Sequence, residues 1–387
     1  MIYRKITSIV LKKAAKVPVI TITGPRQSGK STLTKQAFPA HRYVNLENIE
    51  YRNLAVDDPK GFLDSFPHPV IIDEVQYAPD LISYIQIIVD EGAAPGSFIL
   101  TGSQNLLLMQ QVAQSLAGRV AIFNLLPFSL EELADTNYTY SNYEEYLIRG
   151  FYPRIYDKDL EAQDWYRDYI TTYVERDVRQ LLNIENAALF RQFIEVCAGR
   201  IGQLVNFSDI GNMIGVSYQT VKRWLSILET SFIIYTIRPY HKNYDKRIVK
   251  SPKLYFYDVG LAATLLNIQA VDQVTMHFAR GALFENFILN EIQKHFLNRG
   301  KRQSLYFWQD STKKEIDLLI DLGTTLHTLE IKSGKTINRS FFKNLTYFKE
   351  LEQKLAVASY LIYGGREIQR RSDITVLGWN QLGELPI

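Results

Sequence analysis

Residues 24–31 read GPRQSGKS, a full match to the pattern G-x-x-x-x-G-K-[ST]. Glycine lets backbone approach a polyphosphate closely. Successive N–H groups in such a loop, with the N-terminus of a following helix, form an anion cradle. In this pattern Lys30 reaches the β- and γ-phosphates and the Ser31 hydroxyl ligates Mg2+. The flanks suit it: VPVITIT (17–23) is a β-branched run fit for a buried parallel strand, and STLTKQAF (31–38) continues as a helix. The expected nucleotide-binding set is therefore Gly24, Pro25, Arg26, Gln27, Ser28, Gly29, Lys30, Ser31 and Thr32. Arg26 reads either as a phosphate or partner contact or as a solvated loop charge.

Working outward, PVIIDEVQ (69–76) is a short apolar strand ending in two carboxylates. Asp73, at the strand's carboxyl end, is placed to hold Mg2+ through water, and Glu74 to orient and polarise an attacking water. SFILTGSQN (97–105) ends in Thr101, Ser103, Gln104 and Asn105. Parallel sheets gather ligands at the carboxyl ends of their strands, so Ser103 and Asn105 are the favoured γ-phosphate sensors. Arg119, in SLAGRV, reads equally as a stabiliser of transferring phosphate, in the same chain or across a subunit contact, and as a structural ion-pair partner.

The chain has 387 residues, enough for more than one domain, with 46% hydrophobic and 22% charged residues, ordinary globular values. A single cysteine, Cys197, excludes an intramolecular disulfide and fits a reducing compartment. Its neighbours FIEVCAG are apolar, as for a packed thiol. MIYRKITSIVLKKAAK interrupts its apolar residues with lysines, unlike a signal peptide, and no apolar run is long enough to span a membrane. The expectation is a cytoplasmic protein.

Strand candidates at 17–23, 42–46, 69–73, 97–101 and 120–125 alternate with helical segments, the pattern of an α/β domain with a parallel sheet. LLPFSLEELAD (125–135) predicts a short helix with Ser129 as N-cap and Glu132 completing a capping box. Beyond it the spacing predicts long helices over 164–182 and 190–205, then a helix-turn-helix over 207–240. There the second helix starts at Ser217 with Tyr218, Gln219, Thr220, Lys222 and Arg223 near its start, where a recognition helix would contact DNA. The strand 232–243 would form a wing. Residues 197–250 hold eight Lys/Arg against three Asp/Glu, a balance compatible with phosphate contacts but equally with a protein-contact module. From 278 a long helix, three strands (305–309, 314–322, 325–334), a helix near 339–351 and a strand at 359–365 suggest a second α/β core. The expected division is 1–155 for nucleotide binding, 156–250 for the helical and winged-helix region, and 251–387 for the C-terminal domain.

In that last segment, Asp317 in EID and the pair Glu330 and Lys332 in EIK are separated by enough chain for a strand, a tight turn and the next strand. Side chains alternate faces along a strand, so paired strands would bring these three to one point. Two carboxylates suit a hard divalent cation, a lysine can orient water for attack on phosphorus, and Glu285 from the preceding helix would complete the set.

The whole chain resembles bacterial and archaeal ATPases with an AAA-type N-terminal domain and a C-terminal domain of unknown function of the DUF4143 type. The resemblance rests on GPRQSGKSTL, IIDEVQ, ILTGSQN, SLAGRV, LLPFSLEEL, YVERDV, the winged-helix stretch, GALFENFILNEI and the EIDLLI…LEIKSG pair. The C-terminal set is similar to that of PD-(D/E)xK nucleases, in which the aspartate and glutamate bind metal and the lysine assists. The resemblance implies binding and hydrolysis of ATP with Mg2+, the choice of ATP over GTP resting on it alone, with Ser103 sensing the γ-phosphate. GFYPR (150–154) departs from the family pattern, which has a second glycine and an acidic residue after proline. Three functions follow as expectations: an ATPase driving a DNA- or partner-facing module, as a homo-oligomer or with a protein partner; an ATP-regulated nuclease; or a nucleotide-dependent switch with a degenerate nuclease fold.

Overall fold

The computed structural model describes residues 2–103, 115–178, 186–240, 251–301 and 304–387. Gln104, Asn105, residues 179–182 of the expected long helix and the end of the expected wing lie outside the described residues. The chain is mixed α/β and divides into two compact units. One comprises Met1–Phe128, Thr230–Phe232 and His295–Lys301; the other Ser129–Glu229, Ile233–Lys294 and Arg302–Ile387. No described helix is long and apolar enough to cross a membrane.

The first unit is built on five parallel strands: β1 (Val19–Thr23), β2 (Arg42–Asn45), β3 (Val70–Asp73), β4 (Phe98–Gly102) and β5 (Val120–Asn124), in the spatial order β2-β3-β4-β1-β5. Their near-continuous apolar runs follow from burial on both faces. Val19, Val70, Ile72, Phe98 and Leu100 enter one core, while Ile20, Ile22, Ile71 and Ile99 enter the other. Each such side chain contributes roughly 1.5–3 kcal/mol of burial free energy. Register places Thr23 beside Gly102, and Ile72 beside Leu100, so the carboxyl ends of β1, β3 and β4 open onto one edge. The helix Lys30–Ala37 starts at that edge.

The second unit holds an eight-stranded sheet formed by β6 (Ile234–Pro239), β7 (Lys253–Phe256), β8 (Leu305–Gln309), β9 (Glu315–Asp321), β10 (Thr325–Lys332), β11 (Ala356–Tyr363), β12 (Gln369–Arg371) and β13 (Ile374–Gly378). Its order is β12-β13-β11-β10-β9-β8-β6-β7. The strand expected as a wing is thus part of this sheet, since β6 pairs with both β7 and β8. Its alternating pattern fits either role, and pairing on both edges decides. Residues 129–155, expected with the nucleotide-binding segment, fall in the second unit. Long-range bonds hold them there: Tyr143 donates to the Ser333 carbonyl at 2.9 Å, and the Phe151 N–H to Asp258 at 2.8 Å. The GFYPR loop is a packed anchor, because a Cβ on Gly150 would meet the Tyr166 hydroxyl at 1.8 Å.

Locally most expectations match, but the helix expected over 190–205 runs Ala187–Ala198 and stops before Gly199. Ser129 and Glu132 form the capping box of the helix Leu130–Leu133. The helix from Ala162 widens into π-type winding at Ile170–Val178. Helices Phe207–Ile214 and Tyr218–Thr230 are joined by a turn at left-handed Gly215. Cys197 is buried and free, and burial raises its thiol pKa.

Candidate functional site

The loop after β1 adopts the geometry its glycines allow. Gly24 has φ +153°, and a Cβ there would lie 2.2 Å from the Leu125 carbonyl oxygen, so only glycine fits against the end of β5. Gln27 and Gly29 also have left-handed φ, +64° and +93°. Gly29 then caps the helix that begins at Lys30. Ser28 is fully buried and its hydroxyl has no partner among the described residues. Lys30 is 5% exposed, and its ammonium donates to the carbonyls of Gly24 (3.1 Å) and Pro25 (2.9 Å). Burial lowers its pKa, opposed by the nearby charges of Glu74 and Asp73. A buried ammonium bonded to neutral carbonyls, beside an unpartnered hydroxyl and the first N–H groups of a helix, is a donor set that fits a polyphosphate.

Asp73 faces this loop from β3 and is held by three hydroxyls. Ser31 and Tyr43 each donate to its Oδ2 at 2.6 Å, and Thr101 donates to Oδ1. Ser31 and Asp73 are therefore in direct contact. Glu74 has left-handed backbone (φ +57°), a strained state for a non-glycine residue and one that clusters at functional sites. Ser103 donates to its carboxylate at 3.0 Å, and Gln76 donates to the same oxygen. The expected base and the expected sensor are thus in direct contact. Arg26 lies 3.5 Å from Glu47, and Thr32 is exposed.

Arg119 is not at this edge. Its carbonyl accepts from the N–H of Val19, at the start of β1, while the loop follows Thr23 at the other end. Its guanidinium pairs with Asp90 at 2.6 Å. Within this chain Arg119 is an ion-pair partner, and the strand β5 runs away from it toward the loop.

In the second unit, β9 and β10 pair antiparallel with Leu318 opposite Leu329, which sets Asp317 across from Glu330. Both are buried. Lys332 bridges them, 3.1 Å from Asp317 and 2.8 Å from Glu330, and Asp317 also accepts the Ile331 N–H at 2.7 Å. Alongside, Lys253 of β7 is bonded to Glu315 and lies 3.6 Å from Glu285, which accepts from the Tyr255 hydroxyl at 2.6 Å. Burial raises the pKa of Glu285 to about 7 and that of Glu330 to about 8, the neighbouring Asp317 adding to both. Glu285, Asp317 and Glu330 therefore share a neighbourhood. Among the described residues no three His, Cys, Asp or Glu side chains form a group that could hold a metal ion. Each carboxylate pair closes on an ammonium instead.

Arg4, Tyr43, Thr101 as partner of Asp73, Gln76 and Lys253 were not foreseen in these roles. Lys253 carried a signal, a lysine inside the apolar run KLYF; Tyr43 carried only its position in the strand beside that of Asp73.

Comparison with known proteins finds three family models along the chain. Residues 16–134 match the AAA domain model, residues 280–382 a domain of unknown function, DUF4143, and residues 140–272 another, DUF8612. An uncharacterized protein of Mycobacterium tuberculosis is 29% identical over 348 residues, covering 88% of this chain and 76% of the relative. One from Haemophilus influenzae is 22% identical, covering 92% and 93%. Among solved structures, a Walker-type ATPase of Pyrococcus abyssi aligns over 67% of this chain and 94% of its own, with 14% identity and a TM-score of 0.44.

Proposed function

We propose that this chain, whose N-terminal segment matches the AAA domain, binds ATP with Mg2+ and hydrolyses it. The observation that carries the reading is the joined set at one sheet edge: Lys30 buried over the loop, Ser31 bonded to Asp73, and Glu74 bonded to Ser103. Lys30 turns its ammonium from the loop carbonyls to phosphate oxygens. Ser31 and Asp73 hold Mg2+, which when bound offsets the phosphate charge. Glu74 accepts a proton from water as its oxygen attacks the γ-phosphorus and the bond to the leaving diphosphate breaks. Ser103 and Gln76 fix the Glu74 carboxylate through their donated hydrogen bonds.

Nucleotide state is then passed to the second unit, which faces a partner. Support for a nucleic-acid partner is the helix Tyr218–Thr230, where Gln219, Lys222 and Arg223 are all exposed along one side. The nuclease reading has in its favour that Asp317, Glu330 and Lys332 stand together, and against it that no group able to hold a metal ion is found among the described residues.

Turnover and binding by two variants test the reading. Lys30→Ala is expected to weaken ATP binding by about 100-fold or more, as loss of a buried charge-assisted contact does. Glu74→Gln is expected to bind ATP nearly as wild type and to hydrolyse it about 100-fold more slowly. Wild type that neither binds nor hydrolyses ATP removes the proposal, as does Glu74→Gln with unchanged turnover.

A further inference from the structure

We infer that Arg4, twenty-four residues before Ser28, is a positioning residue for the phosphate cradle: it sets the direction of the Gly29 N–H by holding the Ser28 carbonyl. The inference rests on the proposed nucleotide site and extends it to a residue outside the loop motif.

The guanidinium of Arg4 is almost fully buried, at 6% exposure. One nitrogen, Nη1, donates to the Ser28 carbonyl at 2.7 Å, and the other, Nη2, donates to the Leu126 carbonyl at 2.6 Å. The Phe128 ring centroid lies 4.9 Å from the guanidinium carbon. The Arg4 backbone is itself tied down, its carbonyl accepting from the N–H (3.1 Å) and the hydroxyl (2.7 Å) of Thr7 at the start of the helix Thr7–Ala14.

Peptide geometry gives the consequence. In a planar trans peptide the C=O of one residue and the N–H of the next point in opposite directions. Fixing the Ser28 oxygen toward Arg4 therefore fixes the Gly29 N–H on the opposite side. The peptide before Gly29 needs this restraint, because Gly29 has no Cβ to limit its rotation and only the peptide after it is fixed, through the Leu33 N–H. A cation on the carbonyl also polarises that peptide and strengthens its N–H as a donor. The second arm anchors the same group to Leu126, beside Leu125. The Leu125 N–H donates to Thr23 at 2.7 Å, and its carbonyl closes against Gly24. The loop is thus fastened from behind at both ends, at Gly24 by close contact and at Ser28 by Arg4. Two carbonyls bound by one planar fork are a task for arginine, because the ammonium of lysine is a single point donor on a flexible stem.

The test uses the full chain and calorimetric titration with Mg2+ and either ATP or tripolyphosphate, which has no base. Arg4→Ala is expected to weaken both ligands by the same factor, roughly 10-fold. Arg4→Lys is expected to recover less than half of that loss on a logarithmic scale, and free guanidinium at millimolar concentration to restore Arg4→Ala. Val10→Ala, a cavity change in the adjoining helix, is the control: it is expected to lower the melting temperature and leave both affinities unchanged. Wild-type affinity in Arg4→Lys overturns the inference, and it decides alone if Arg4→Ala does not fold. A loss for ATP without a loss for tripolyphosphate also overturns it. Wild type that binds neither ligand overturns the nucleotide site itself, whereas wild type that binds while the Arg4 variants bind equally well overturns only the role of Arg4.

Discussion

Each unit of this chain buries a carboxylate centre, and the two are held in opposite ways. Asp73 accepts from the hydroxyls of Ser31, Tyr43 and Thr101, and the nearby Lys30 ammonium donates to loop carbonyls rather than to it. Neutral donors fix the carboxylate's direction while leaving its charge to be met by an incoming cation. In the second unit Lys332 joins Asp317 to Glu330, and Lys253 joins Glu285 to Glu315. Buried carboxylates must be compensated, and there the chain supplies its own cations. One ammonium stands between each pair of carboxylates in the second unit, whereas Asp73 has only neutral donors.

The largest effect that separates the two centres is the response to Mg2+. Asp73→Asn keeps the shape and an acceptor for the hydroxyls but deletes the charge. The gain in ATP affinity on adding Mg2+ is expected to fall by about 10- to 100-fold, as for loss of a group that orients a metal's shell. Asp317→Asn is expected to leave that gain within about twofold of wild type. Titrations of ATP with and without Mg2+ measure both, and equal losses in the two variants would erase the distinction.

A smaller effect sharpens the second centre. Glu285 and Glu330 have pKa values raised to about 7 and about 8, so the folded unit holds their protons more tightly than the unfolded chain does. Their contribution to stability is full below the ordinary glutamate value and is lost as pH rises toward 8. Lys253 and Lys332 are raised from an already high value, so they contribute constantly over this window. All four tryptophans, Trp165, Trp224, Trp308 and Trp379, lie in the second unit, and their fluorescence during urea unfolding reports on it. Its unfolding free energy is expected to drop by several kcal/mol from pH 5 to pH 8, and Glu330→Gln to flatten that slope. A wild-type stability that rises over the same range would show that Lys253 and Lys332, which lower both pKa values, outweigh burial and the charge of Asp317.

What the sequence made legible was local. Runs such as VPVITIT and PVIIDEVQ identify their strands because both faces are buried, and GPRQSGKS identifies its loop because backbone shape and phosphate chemistry are encoded in adjacent residues. Ser129 and Glu132 show their capping box for the same reason. Partners distant in sequence were silent. Arg4 meets Leu126 across 122 positions, and Lys253 meets Glu315 across 62. Arg119 stayed open between two readings because sequence order shows that it precedes a strand but not which end of the sheet that strand starts from. The acidic triad of the second unit was correctly gathered by alternation and pairing, yet its meaning depended on Lys253, a residue from another strand.

The finest distinction concerns Tyr43. Its hydroxyl donates to Asp73 Oδ2 at 2.6 Å, and its ring lies 3.6 Å from the Lys35 ammonium. Burial and then Asp73 raise its pKa, so it remains a protonated donor throughout the neutral range. Tyr43→Phe keeps the ring under Lys35 and leaves Asp73 with its Ser31 and Thr101 bonds. A hydrogen bond to a charged carboxylate contributes about 1.5–3 kcal/mol net, part of which the remaining Ser31 and Thr101 donors offset, so the Mg2+-dependent part of ATP affinity is expected to weaken by about fivefold, and affinity without Mg2+ to stay as in wild type. The ratio to Asp73→Asn is the informative quantity. If hydroxyls only aim the carboxylate, deleting one donor is milder than deleting the charge. A Tyr43→Phe loss as large as that of Asp73→Asn would show that aim outweighs charge at this centre, and the contrast with the lysine-filled one would then have to be drawn from geometry instead.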